Sequence, residues 1–354
     1  MGARSGILGL SVSTWPAPRA LLQHEWPAFR AAVNRVFRSG GGDLTHDLPL
    51  LFGDAPAAPD ASRPPAAGSA EASGRTTGLE NLRVVVDEAG TILAHAGYLR
   101  REAQILKRRT TIGFVAAVFT DAAHRGQRLG TRVLLDVLGR VRPGADLVLA
   151  SGDRDFYRRH GFEPVAPLTR FRLPPAETLA GAVGEYELRT IGGGAPGGAA
   201  DTENGGGQPA TAPTSGELAE LQDLHAAEPV HFVRSDDDWR RLLAAGRLVD
   251  AAATFTLVTR AGRAVAFIAA QNATPRPDGT IRPRRILEVT GDRNAILSVA
   301  PLLGEELLVP PYDSPTIDRA VAVGLVRTVR QFPITAEPLT ATARVVPWYG
   351  LNYV

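Results

Sequence analysis

The chain of 354 residues contains no cysteine. Disulfides, thiolate nucleophiles and Cys-ligated zinc or iron–sulfur centres are therefore excluded. Lysine is nearly missing as well: Lys107 stands alone, and arginine carries the rest of the positive charge. Arginine suits bidentate anion contacts. So complete a bias, beside abundant Ala, Gly and Pro, fits genome composition better than function. The formal net charge is only +2, which gives a nucleic-acid partner no support. No run approaches the ~20 apolar residues that a membrane span needs. The seven histidines show no His-Glu-x-x-His or other metal spacing. Ser151 is in no Gly-x-Ser-x-Gly elbow. The apolar stretch Ile7 to Val12 is too short for a secretory leader, and Gly6 stands where myristoylation needs Ser or Thr. The expectation is a cytoplasmic protein without a metal, a nucleic-acid partner or a membrane partner.

What is present is a soluble globular composition, 44% hydrophobic and 21% charged, on a chain long enough for two cores. Two low-complexity stretches divide it. Residues 54–76, rich in Ala, Pro, Ser and Gly, read as a flexible surface loop. Residues 192–216, with two Gly-Gly-Gly runs, read as an interdomain linker. The expected organisation is an extension over 1–17, a first domain over 18–191, the linker, and a second domain over 217–354.

The pattern predicts a mixed α/β fold with a mixed sheet. Trp26, Phe29, Val33 and Phe37 recur at helical spacing. Leu82 to Asp87 and Thr91 to His95 flank Glu88-Ala89-Gly90 as a hairpin. Ile112 to Thr120 is a strand covered on both faces. A helix follows with Leu129, Val133, Val137 and Val141 on one face and Arg132, Asp136 and Arg140 on the other. Leu147 to Ala150 is a buried strand, and Phe156 to His160 a short helix closed by Gly161. Beyond the linker, Ser235 with Asp238 marks a helix start, so Asp236-Asp237-Asp238 is an acidic first turn rather than a metal cluster. A hairpin around Ala261-Gly262, a strand over Ile286 to Thr290 and a helix within Ala295 to Leu308 complete the reading. The order resembles the first half and suggests an internal repeat.

The most informative stretch is Arg125-Gly126-Gln127-Arg128-Leu129-Gly130-Thr131. A glycine-containing turn between strand and helix aims backbone N–H groups and the positive end of the helix dipole at one point, which makes an anion site. Thirty residues on stands Tyr157-Arg158-Arg159-His160-Gly161-Phe162.

These two stretches resemble the marks of the GNAT superfamily of acyl-CoA-dependent N-acyltransferases. Its Gln/Arg-x-x-Gly-x-Gly/Ala loop stands as Arg125 to Gly130, with Arg128 in place of the middle glycine. Its Tyr-x-x-x-Gly-Phe stands intact at Tyr157 to Phe162. The resemblance covers roughly residues 18–175. The layout is similar to tandem proteins whose second GNAT-like domain is degenerate, since residues 217–354 carry neither mark. It implies acetyl-CoA, or another acyl-CoA, as co-substrate. Val118, Phe119 and Thr120 would pair with its pantetheine arm, and Arg125, Gly126, Gln127, Arg128, Leu129, Gly130 and Thr131 would hold its diphosphate. It also implies Tyr157 as general acid and the Val118 N–H as oxyanion donor. Candidates for the base are Asp87, His95, Glu102 and the C-terminal carboxylate of Val354. The implied reaction is acetyl transfer to a primary amine of a small molecule or peptide, in a chain that could form a homo-oligomer. A non-catalytic acyl-CoA sensor and an aminoglycoside-type multi-acetylating enzyme are the alternatives.

Overall fold

The computed structural model describes residues 15–38, 41–53, 78–151, 155–165, 168–176, 184–192, 212–249, 251–275, 278–331 and 334–338. The expected loop over 54–76, most of the linker and the C-terminal end with Val354 lie outside the described residues.

Two eight-stranded sheets and one two-stranded sheet organise the described residues. The first half builds β1 (Arg19–Ala20), α1 (Trp26–Phe37), α2 (Leu44–Asp47), α3 (Pro49–Phe52), β2 (Leu82–Val86), β3 (Ile92–Ile105) and β4 (Arg108–Thr120). It continues with α4 (Leu129–Val141), β5 (Leu147–Ser151), α5 (Asp155–Arg158) and β6 (Glu163–Val165). After it come β7 (Leu168–Arg172), β8 (Glu187–Thr190), α6 (Ser215–Ala226), β9 (Val230–Phe232), α7 (Asp236–Ala245), β10 (Arg247–Leu248), β11 (Ala251–Arg260) and β12 (Arg263–Gln271). The last elements are β13 (Thr274–Pro275), β14 (Ile281–Arg282), β15 (Arg285–Gly291), α8 (Arg293–Leu303), β16 (Glu306–Val309), α9 (Ser314–Ala322), β17 (Val326–Gln331) and β18 (Ile334–Pro338).

The order of the first sheet is β1-β2-β3-β4-β5-β18-β6, and that of the second is β10-β11-β12-β15-β16-β7-β17. In each, three antiparallel strands lead into a helix and then a parallel strand: β4 beside β5, and β15 beside β16.

The sheets divide the chain differently from the expected boundaries at 191 and 217. β7 and β8, which precede the expected boundary at 191, lie in the second sheet. β18, near the other end, lies between β5 and β6. The halves thus exchange strands, two one way and one the other, and β9 additionally pairs with β3. Strand pairing is nonlocal, so composition and a glycine-rich stretch could not reveal the exchange.

Local chemistry explains the elements. The β2–β3 hairpin turns on Asp87, whose carboxylate accepts from Thr91 N at 2.7 Å, and on Gly90 at φ 81°. α4 buries Leu129, Val133, Leu134, Val137, Leu138 and Val141 completely against the first sheet. Each such side chain contributes roughly 1.5–3 kcal/mol. The opposite face is polar, and Asp136 there pairs with Arg83 at 2.6 Å and Arg140 at 3.1 Å.

One apolar cluster runs from Leu21 and Phe29 through Phe114 and Trp239 to Phe255 and Leu308, so both sheets share a core. Two buried carboxylates fasten it. Asp238 on α7 accepts from both terminal guanidinium nitrogens of Arg101 on β3, at 2.5 and 3.2 Å. Asp238 also closes a capping box with Ser235, as the sequence predicts. Asp47 accepts from Arg38 of its own half at 2.6 Å and faces Arg247 of the other at 2.9 Å.

Candidate active site

The site begins with an irregularity in β4. His95 on β3 pairs with Phe119, and Gly97 with Ala116, so β4 carries one extra residue between them. Ala117 adopts φ 51° there, a left-handed conformation that an alanine enters at a cost of about 1 kcal/mol or more. Its carbonyl is held by His95 Nδ1 at 2.8 Å. A carbonyl only accepts, so Nδ1 carries the proton. His95 is fully buried between Phe29 and Phe119. That burial pushes its imidazole down to about 4 from the ordinary 6.5, and the bond to Ala117 opposes the shift.

Beyond this bulge β4 separates from β5. Their parallel pairing runs from Ile112↔Leu147 to Val115↔Ala150, while β4 continues to Thr120 and β5 ends at Ser151. The β5-facing edge of residues 116–120 therefore lacks a partner strand among the described residues.

The loop after β4 supplies the second wall. Asp121 caps a short turn by accepting from Ala123 N at 3.0 Å. Gly126 (φ 81°) and Arg128 (φ 61°) are both left-handed, a backbone pattern that turns successive N–H groups toward one side. α4 starts at Leu129, with no side-chain cap at Arg128. The N–H groups of residues 126–131 donate to no described residue. A helix start without its own cap carries free donors and a partial positive charge. Gly126 is needed for its φ. Gly130 is needed for space, because a Cβ there would lie 2.9 Å from Thr120 Oγ1.

A cleft of about 510 Å³ lies between these walls. Its lining includes Val118, Phe119 and Thr120 from β4, Arg125 and Gly130 from the loop, and Tyr157 from α5. Tyr157 is 6% exposed and packs on Phe156 and Phe162. Gly161 at φ 89° closes the turn behind it, as expected.

The other expected residues are placed differently. Leu129 is fully buried in the core under α4, so only its backbone faces the loop. Gln127 accepts from Trp15 Nε1 at 2.6 Å. Arg128 is exposed, and Thr131 is half-buried outside the cleft lining. None of the candidate bases that the structure describes lines the cleft. Asp87 shapes the hairpin turn. Glu102 is on the far part of the β3–β4 ribbon, paired with Arg109 at 2.9 Å. His95 lies beneath the cleft floor rather than in it. Val354 falls outside the described residues. Three lining residues were not anticipated: Val36 and Phe37 from the end of α1, and Phe156. The pattern of Val36 and Phe37 marks them as apolar helix positions, and only the packing of α1 over the splayed strands turns them into cleft walls, while Phe156 adjoins Tyr157 on α5.

No protein-family profile matches the sequence, and no curated protein sequence does. Solved structures do match. A GCN5-related N-acetyltransferase from Kribbella flavida aligns at 16% identity with a TM-score of 0.46, over 73% of this chain and 59% of that one. The present chain therefore spans less than two thirds of that relative. A conserved protein of unknown function from Enterococcus faecalis, described as a probable N-acyltransferase, gives a TM-score of 0.55 at 9% identity over 90% of this chain and 71% of its own. Eis1 from Mycobacterium abscessus gives 0.51 at 13% over 92% and 74%. The chain has the GNAT fold.

In the GNAT fold of this chain the two halves differ at the turn from strand to helix. Residues 121–128 separate β4 from α4, whereas Asp292 alone separates β15 from α8. The Asp292 carboxylate accepts from Asn294 N at 2.8 Å and Ala295 N at 3.5 Å. Among the described residues no side chain caps the first helix start, whereas the second is filled by its own side chain.

Proposed function

We propose that the protein is an acyl-CoA-dependent N-acyltransferase, with acetyl-CoA as donor and a primary amine as acceptor. The supporting observation is the 510 Å³ cleft, where the unpaired edge of β4, the open start of α4 and Tyr157 meet. These groups fit the co-substrate. Free N–H donors suit a diphosphate, a strand edge suits an amide-bearing arm, and a phenol suits a leaving thiolate.

A bound acyl-CoA supplies a thioester; the amine nitrogen bonds to its carbonyl carbon, and the carbon–sulfur bond breaks. The residues of the chain have three tasks. Residues 126–131 and Arg125 hold the diphosphate. The Val118 N–H, beside the bulge, donates to the carbonyl oxygen as negative charge develops there. The Tyr157 hydroxyl gives its proton to the departing sulfur. The amine's proton leaves to a base or a water chain, and among the described residues no carboxylate or imidazole lines the cleft.

Incubation with acetyl-CoA and a panel of primary amines, with release of CoA measured, tests this reading. Turnover on at least one amine is expected. Absence of turnover on every amine, together with tight CoA binding by calorimetry, would favour an acyl-CoA sensor, to which the lack of a base in the described cleft lends weight.

A further inference from the structure

The second sheet has its own splayed parallel pair. β15 and β16 pair only at Arg285↔Glu306 and Ile286↔Leu307, then separate. Between them and β9 lies a cavity of about 100 Å³. An engineered apolar cavity of ~150 Å³ takes benzene, so this one has room for roughly four heavy atoms. Its walls are mostly apolar, with Leu287, Val289 and Tyr312 among them.

The polar part of the lining is unusual in its charge count. Arg234 meets Glu288 through two hydrogen bonds, at 2.5 and 3.0 Å, while stacked 4.4 Å from the Trp239 ring. Arg293 meets both Glu228, at 2.5 and 2.6 Å, and Asp313, at 3.1 Å. Among the described lining residues, two guanidiniums thus face three carboxylates. The histidines do not restore the balance when neutral. His225 gives its Nε2 proton to the Phe232 carbonyl at 2.9 Å, and burial drives its imidazole well below the ordinary value.

Two atoms here also lack a partner among the described residues: His225 Nδ1 and Thr290 Oγ1. Their residues are 6% and 2% exposed. Nδ1, left with a lone pair, stands 3.9 Å from Glu288 Oε1, so two acceptors face each other with no donor between. An unsatisfied buried acceptor costs about 1–3 kcal/mol, and a donor that is also a cation would satisfy His225 Nδ1 while lying beside the Glu288 carboxylate.

We infer that this cavity binds a small primary ammonium with a short apolar body, its N–H groups directed to His225 Nδ1, Glu288 and Thr290. The site is separate from the cleft at Tyr157, and the inference does not depend on acyl transfer.

Calorimetry and thermal melting of the full chain, with n-propylammonium chloride and no acyl-CoA, test it. Propan-1-ol and propionate are the controls. The ammonium should bind and raise Tm, and the two controls should not. Thr290→Val, which keeps shape, should weaken binding by about tenfold or more. His225→Phe should do the same, whereas Tyr157→Phe should leave it unchanged. No ammonium binding, equal binding of propan-1-ol, or binding that survives both Thr290→Val and His225→Phe overturns the proposal. If His225→Phe fails to fold, Thr290→Val with the two controls decides alone.

Discussion

His95 makes the fold sensitive to mild acid. In the native chain its imidazole titrates at about 4, against 6.5 when free. A folded-state value below the unfolded one means that the unfolded chain binds more protons between the two. Stability is therefore full above 6.5 and is lost as pH falls toward 4. Between pH 7 and pH 5 this one group should remove about 2 kcal/mol. His95→Asn keeps an N–H donor for the Ala117 carbonyl but cannot titrate. Urea unfolding of both proteins at pH 7 and pH 5 gives the comparison, with the variant losing about 2 kcal/mol less on acidification. His225, also buried and shifted the same way, remains in both proteins and cancels. Equal losses in the two proteins would refute the argument, because His95 would then be no more buried folded than unfolded. Turnover separates positioning from proton transfer: His95→Asn should retain measurable kcat, since the imidazole lies under the cleft and its only N–H is engaged with Ala117.

Three further substitutions probe the site and the join. Tyr157→Phe should lower kcat by about a hundredfold or more while CoA affinity measured by calorimetry stays within about twofold. Arg128→Gly removes the side chain from a left-handed position that costs about 1 kcal/mol; Tm should hold or rise while CoA binding weakens, as read by melting and calorimetry on the same sample. Asp238→Leu leaves the buried Arg101 without its carboxylate, and chemical denaturation should show a loss of about 3–5 kcal/mol.

Much of the first half was legible in the sequence, for reasons that the structure makes concrete. The face Leu129, Val133, Val137 and Val141 repeats with helical period because one side of α4 lies on a sheet. The hairpin at residues 87–90 shows because Asp87 and Gly90 are turn formers. The ribbon from Leu99 to Arg109 was missed, since Arg100, Arg101, Glu102, Arg108 and Arg109 interrupt the apolar pattern. Arg101 is a buried partner of Asp238, which no local rule reveals. α6 was missed although Thr214 and Glu217 form a capping box, because they directly follow a glycine-rich run. The loop and Tyr157 were readable as motifs. The bulge was not: Ala117 takes a left-handed φ with nothing in its side chain to announce it, and His95 reads as a candidate base until its burial is known.

The two halves share one strand order yet offer different ends to a ligand, and the difference can be counted in solution. Around α4, a loop of eight residues with two left-handed positions leaves the N–H groups of residues 126–131 undonated to any described residue. Around α8, one residue makes the turn, and its carboxylate already occupies two of the N–H groups that an anion would need. A diphosphate at α8 would have to displace Asp292 and would bring further negative charge beside Asp313 and Glu228. A cap of this kind is worth about 1 kcal/mol, and like-charge repulsion adds to it. Calorimetric titration with CoA should therefore saturate at one molecule per chain. Gly126→Ala, which forces a Cβ onto φ 81°, should weaken that single site, whereas Asp292→Ala should lower Tm without raising the count. A stoichiometry of two in the unmodified protein would mean that strand order, rather than the chemistry of the turn, decides where the coenzyme goes.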